Sequence, residues 1–219
     1  HEAVVPVQSE RDLQRRLASD RRLLALLDDQ GAPLAFVHVA LTAAFPDTLD
    51  SLLAGPVQTG PFRCATFYGI TRVDTRVRGN AGALLEAALA HIVAEHPGLD
   101  LTATLSPMPG FRGWVERTLA ASGHPDAAGE LERVARLCAA GLASGRRTEA
   151  LQKLAGMWLQ AKDPRGRLQD PVARFHLGNG ASVRAVLIGA DASWHGLEQS
   201  LGVMVSYRYA LSDALSRVA

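Results

Sequence analysis

Two side chains in this chain, His176 and Ser106, are of types that could do chemistry. His176 lies within Asp170-Pro171-Val172-Ala173-Arg174-Phe175-His176-Leu177-Gly178-Asn179-Gly180-Ala181. An imidazole is the side chain whose ordinary pKa lets it give and take protons near neutral pH. Ser106 lies within Leu105-Ser106-Pro107-Met108-Pro109-Gly110-Phe111. Two prolines stiffen that segment and hold one hydroxyl in place, an arrangement that suits catalysis more than stability. Taken alone, a hydrogen-bonded structural histidine and a helix-capping serine are the ordinary readings of these segments. No Gly-x-Ser-x-Gly elbow surrounds Ser106, so it is not read as an acylated nucleophile. A third feature is Arg76-Val77-Arg78-Gly79-Asn80-Ala81-Gly82, which follows an apolar strand and opens a helix. Small residues there let backbone N–H groups and the positive end of a helix dipole approach an anion such as a phosphate; a tight turn before a plain helix is the ordinary alternative.

The elements that must position these residues follow from periodicity. Ser9 caps a helix through about Leu17, with Leu13 and Leu17 inward and Arg11, Arg15 and Arg16 toward solvent. Leu23–Leu27 and Leu34–Leu41 read as strands joined by the polar turn Asp28–Pro33, and Cys64–Ile70 reads as a third strand after a short helix from Pro46-Asp47 to Leu53. Leu84, Leu85, Leu89, Ile92 and Val93 keep helical spacing up to Pro97-Gly98. Leu101–Leu105 is a strand, and Ser106–Phe111 a stiff loop. Residues 125–162 shift to Ala, Leu, Arg and Glu and predict a helical hairpin. Within it Met157 and Trp158 read first as core and second as the lining of an acyl tunnel. Val172, Phe175 and Leu177 predict a short buried strand, with Gly178-Asn179-Gly180 as a hairpin turn. Ser182–Ile188 is another strand, Asp191–Ser200 a loop or short helix, Val203–Tyr209 the last strand, and a closing helix starts at Ser212. Tyr207 and Tyr209 share one face of that last strand, opposite Arg208.

Composition narrows the classes. The chain has 219 residues, 47% hydrophobic and 21% charged, enough for one ample core. A net charge of +1 and a pI near 8.1, with no long basic run, leave no electrostatic footprint for nucleic acid. The longest apolar run, Leu34–Phe45, is too short to span a bilayer and no signal-peptide pattern opens the chain, so a soluble, cytoplasmic protein is expected. Cys64 and Cys138 have no metal-binding spacing and predict buried, reduced thiols.

Three ordered motifs, Ser106-Pro107-Met108-Pro109-Gly110-Phe111, Pro171–Ala181 and Gly202-Val203-Met204-Val205-Ser206-Tyr207-Arg208-Tyr209, resemble the catalytic domain of the malonyl-CoA decarboxylase family, part of the N-acetyltransferase-like (GNAT) superfamily. A weaker likeness at Glu2-Ala3-Val4 extends it over almost the whole chain. The spacing Arg76-x-x-Gly79-x-Ala81 is similar to the pyrophosphate loop of that superfamily. The resemblance implies one α/β GNAT-like domain over residues 1–219. Its mixed twisted sheet would be flanked by helices, with the hairpin at about 125–162 as an insertion and the family's N-terminal helical domain absent. It implies decarboxylation of a malonyl thioester to the acetyl thioester, or of methylmalonyl to propionyl, without a metal or organic cofactor. In that reading Ser106 hydrogen-bonds His176 and positions the carboxylate or enolate, His176 delivers the proton, and Tyr209 supports the pocket. Residues 76–82 would hold the pyrophosphate or phosphopantetheine arm of CoA or of an acyl carrier protein.

The chain departs from the family pattern at Gly69, where a serine is usual, at Gly79, where some members carry a glutamate, and at His38, where another glutamate would stand. These departures imply a simpler proton relay or a different substrate, whereas a domain of a larger chain, such as a polyketide synthase loading region, would explain the absent helical domain and make an acyl carrier protein the partner. A GNAT-type acyltransferase and a non-catalytic acyl-thioester-binding module are the other readings the residues allow.

Overall fold

The N-terminal third builds on local turn and cap chemistry that can be followed residue by residue. The computed structural model describes residues 7, 9–73, 80–141 and 145–211. Ser9 caps α1 (Glu10–Arg16), its hydroxyl accepting from the Asp12 N–H. The face of this helix is the reverse of the expected one. Arg16 is buried while Leu13 and Leu17 are exposed, because polar partners draw both arginines inward. Arg15 donates to both carboxylate oxygens of Asp20 and to the Gly55 carbonyl, and Arg16 forks onto Asp12.

β1 (Arg21–Leu27) and β2 (Pro33–Thr42) form the antiparallel hairpin expected from the sequence. Its turn is closed by Asp28, whose Oδ1 accepts from the N–H groups of Gln30 and Ala32, with Gly31 at positive φ. After α2 (Leu49–Ala54), β3 (Cys64–Arg72) runs antiparallel to β2. Register slips between His38 and Val39, so that His38 faces Gly69 and Val39 faces Phe67. α3 (Asn80–Glu95) carries the chain to β4 (Leu101–Thr104), which pairs in parallel with β3, a strand–helix–strand crossover. Leu84, Leu85, Leu89, Ile92 and Val93 are all buried, and α3 packs across β1, β2 and β3.

β5 (Ser106–Pro107) is a two-residue strand where the sequence predicted only a loop. α4 (Phe111–Ala121), α5 (Ala127–Ala139) and α6 (Arg146–Gln160) follow; the last two are helices where the hairpin was expected, but each packs on α4 and not as a hairpin on the other. α7 (Pro171–Gly178), β6 (Ser182–Leu187), α8 (Trp194–Ser200) and β7 (Met204–Tyr209) complete the described elements. The helix expected from Ser212 falls outside the described residues. One parallel ladder among antiparallel ones makes the seven-stranded sheet mixed.

The chain divides into two compact units. The first takes residues up to Pro46, then Ser51–Leu105 and the chain from Tyr207 on. Its core is β2, β3, β4 and α3, and there the end of β7 pairs with β4 through Thr102–Tyr209 and Ala103–Arg208. The second takes Asp47–Asp50 and Ser106–Ser206. Here β5 pairs with the start of β7 through Ser106–Val205 and Pro107–Met204, and α4 packs against α5, α6 and α8. Cys64 and Cys138 are buried and form no disulfide, as expected.

Candidate active site

The segment carrying His176 is a helix and not the predicted strand. Asp170 is its N-cap, with Oδ1 accepting from the Val172 N–H at 2.8 Å and the Ala173 N–H at 3.1 Å, and Pro171 occupies the first turn, where its missing donor costs nothing. Gly178-Asn179-Gly180 ends this helix and turns no hairpin. Gly180 takes φ +82°, its N–H donates to the Leu177 carbonyl and the Ala181 N–H to the His176 carbonyl, which is the Schellman closure of a helix C-terminus. The apolar residues that imitated strand alternation are spread round this short helix. Ala173 and His176, three apart, are the ones it buries.

Ser106 is held from the other side. Its strand pairing to Val205 fixes the backbone, and Met108 and Phe111 behind it are fully buried. Gly110 turns the chain into α4 at φ +81°, a conformation that favours glycine. The two segments bring Ser106 Oγ to 3.2 Å from His176 Nε2. Both side chains are nearly inaccessible, 5% and 4% exposed, and Phe175 sets its ring edge-on to the imidazole at 5.1 Å.

Burial lowers the His176 pKa to about 4, because a charged ring would lose its hydration there. The imidazole is therefore neutral at pH 7, with one nitrogen a donor and the other an acceptor. A neutral imidazole against a hydroxyl can relay a proton and present a fixed donor to an oxyanion.

Both oxygens of Asp170 are engaged elsewhere, Oδ1 by the α7 cap and Oδ2 by the Trp158 Nε1–H at 3.1 Å. Burial pushes this carboxyl up, while the three N–H donors pull it down. The sequence reading passed over Asp170, although an Asp-Pro pair ahead of residues buried at i and i+3 is a helix-start signal. Trp158 is buried as core, and Met157 is exposed.

Tyr209 belongs to the first unit, so the structure does not group it with the pair. It is buried, its hydroxyl pKa is raised by desolvation, and its carbonyl accepts from the Thr102 hydroxyl at 2.9 Å. Arg76, Val77, Arg78 and Gly79 lie outside the described residues. Asn80, Ala81 and Gly82 form the first turn of α3, which holds no acidic residue. His38, one of the departures, is buried on β2 with its ring 5.6 Å from Phe36 and 5.5 Å from Tyr68. A Cβ placed on Gly69 would sit 3.6 Å from its Nδ1, an ordinary contact. Among the described residues no three His, Cys, Asp or Glu side chains cluster as a metal site, and no helix is long and apolar enough to cross a membrane.

Comparison with known proteins supplies a family. The malonyl-CoA decarboxylase C-terminal domain matches residues 1–217. The mitochondrial malonyl-CoA decarboxylase of Rattus norvegicus is 31% identical over 245 residues, covering 97% of this chain and 50% of that protein. The crystal structure of malonyl-CoA decarboxylase from Cupriavidus metallidurans superposes with a TM-score of 0.77 at 32% identity, over 97% of this chain and 58% of the other. The chain thus spans about half the length of the curated relatives it matches. The GphF GNAT-like decarboxylase, solved with isobutyryl-CoA, is 22% identical with a TM-score of 0.56, over 95% of this chain and 90% of that one, and shares the fold.

Proposed function

We propose that this chain, which belongs to the malonyl-CoA decarboxylase C-terminal domain family, removes carbon dioxide from a malonyl thioester and leaves the acetyl thioester. The observation that carries the reading is the buried Ser106–His176 contact of 3.2 Å. Decarboxylation breaks the bond between the α-carbon and the carboxylate carbon, and its electron pair stays on the thioester as an enolate. The enzyme must hold that oxyanion with fixed donors and then give the α-carbon one proton. Ser106 positions the carboxylate and the enolate, and His176 gives the α-carbon a proton from one ring nitrogen as the other nitrogen takes one up from solvent, so the ring stays neutral. Because burial keeps the imidazole neutral, the substrate carboxylate meets no full positive charge on that ring. Its ground state is not over-stabilised relative to the enolate that follows.

The relatives are named for malonyl-CoA, and CoA is the first carrier to try; an acyl carrier protein presents the same phosphopantetheine thioester. Residues 76–82 are assigned to that arm, and Tyr209 to the support of the pocket, by resemblance. No metal or organic cofactor enters the reading. A cytoplasmic location goes with it, in keeping with two cysteines that form no disulfide.

The test is incubation with malonyl-CoA and, side by side, a malonyl carrier protein in deuterated water, followed by mass detection. Acetyl thioester with one solvent deuteron on the methyl carbon is the expected product. Absence of acetyl product from every malonyl thioester would overturn the reading in favour of acyl transfer or simple binding.

A further inference from the structure

One tryptophan of α6 touches the supports of both members of the Ser106–His176 pair. On one side of Trp158, the position a Cβ would take on Gly110 is 3.7 Å from Cζ2. Gly110 ends the Ser106–Gly110 segment and opens α4, and Trp114 of α4 lies with its ring 5.7 Å from that of Trp158. The indole thus closes over the place where the serine segment turns into its helix. On the other side, its Nε1–H reaches Asp170, the residue that starts the histidine helix.

Asp170 has no exposed surface. Capping a helix needs one oxygen and is done well by serine or threonine. A wholly buried carboxylate costs far more to desolvate than a hydroxyl and requires partners for both oxygens. The second oxygen here goes to the indole. Ala173, whose N–H donates to Oδ1, and His176, one turn further, are the two residues α7 buries. A shift of the cap would therefore move the imidazole with it.

We propose that the Trp158–Asp170 hydrogen bond is a brace fixing the distance between Ser106 and His176, and that Trp158 and Asp170 are positioning residues for the decarboxylation. The proposal rests on the function proposed above for its kinetic arm. Misplacing reacting groups by an ångström or less has large kinetic consequences, while the binding of a remote carrier is hardly touched.

The experiment compares wild type, Trp158→Phe, Asp170→Asn and the double variant, with rates scaled to the folded fraction from circular dichroism. Trp158→Phe keeps a ring in place and removes the donor. Asp170→Asn sets an amide N–H against either the indole N–H or the helix cap. In the double variant that conflict is gone. Both single variants should lose about ten- to a hundredfold in kcat, with KM changed less than about twofold, and the double variant should turn over faster than Asp170→Asn.

The ring nitrogen resonances of His176, read by NMR without substrate, should move in both single variants. Single variants with wild-type kcat and unmoved His176 resonances would overturn the brace, as would losses that simply multiply in the double variant. Should Asp170→Asn not fold, Trp158→Phe decides alone. If wild type forms no acetyl product, the decarboxylation reading fails, and the resonances still judge the brace.

Discussion

His38 and His176 are two buried histidines with the same electrostatic outcome and different surroundings. Each has its pKa lowered to about 4, with desolvation as the largest cause. For His176 desolvation is the whole cause, whereas for His38 the Arg16 charge lowers it further and the Asp12 charge opposes that. His38 sits in the first unit on β2, its ring near Phe36 and Tyr68 and opposite Gly69. His176 sits in the second unit at the end of α7, in contact with a serine hydroxyl. A shifted pKa alone therefore does not mark a catalytic group, since burial produces it at both places. What marks His176 is the serine hydroxyl 3.2 Å from its Nε2.

The largest expected effect tests that separation directly. His176→Ala or Ser106→Ala should slow acetyl thioester formation by about 10²–10⁴-fold, the usual range for general acid–base contributions. Because the two side chains touch, the double variant should be little worse than the slower single one. His38→Phe keeps a ring among Phe36 and Tyr68 and should stay below a loss of about 10²-fold. If His38→Phe is as slow as His176→Ala, the comparison breaks and His38 joins the reaction. Steady-state rates with malonyl-CoA distinguish these outcomes.

How much of this was legible in the sequence differs between the two units. Helical spacing of Leu84, Leu85, Leu89, Ile92 and Val93, and the apolar runs of β1 to β4, are local signals, and the first unit follows them. There the reading failed at α1, where Arg16 is buried and Leu13 exposed, because a hydrophobic pattern registers neither the local pairing of the arginines with Asp12 and Asp20 nor the long-range reach of Arg15 to the Gly55 and Pro56 carbonyls. In the second unit the eight residues of α7 are too few to display a clear period. Val172, Phe175 and Leu177 imitated alternation, and the decisive signal was the Asp170-Pro171 cap. The contact between Ser106 and His176 spans 70 positions. No local pattern encodes it, and only the ordered motifs pointed to it. The partner of Asp170, Trp158, is closer in sequence and was read as core or as tunnel lining, not as a hydrogen-bond donor.

A middle-sized effect is expected in the pH dependence of stability, where the two histidines should behave alike. In the unfolded chain each takes a proton as pH falls below about 6.5, while in the folded chain each stays neutral until about pH 4. The unfolded state then binds more protons, so stability rises with pH between about 4 and 6.5 and levels off above that. Each histidine accounts for up to about 3 kcal/mol over this window, with a slope of at most about 1.4 kcal/mol per pH unit. Urea unfolding of His38→Phe and of His176→Ala at several pH values should show the slope reduced by one proton in each case. Activity should diverge where stability does not. The acid limb of kcat/KM should lie below about pH 5 in wild type and in His38→Phe alike, because it reports His176 in the free enzyme. An acid limb near 6.5 would mean that His176 is not held neutral by burial.

The smallest expected effect concerns Gly69, where the family pattern has a serine. Gly69 lies in β3 at a φ outside the range that favours glycine, and the nearest contacts of a Cβ there are ordinary ones, with the His38 side chain at 3.6 Å or more. Nothing steric therefore requires glycine. In a strand interior a glycine costs roughly 0.5–1 kcal/mol relative to a residue with a side chain, through lost backbone entropy on folding. Gly69→Ser should accordingly raise the urea midpoint by an amount worth about 0.5–1 kcal/mol. The decarboxylation rate should stay within about twofold, because the proposed reaction assigns the proton transfer to Ser106 and His176. A gain in rate of tenfold or more would show that the absent hydroxyl belongs to the reaction and that burial alone does not account for His38.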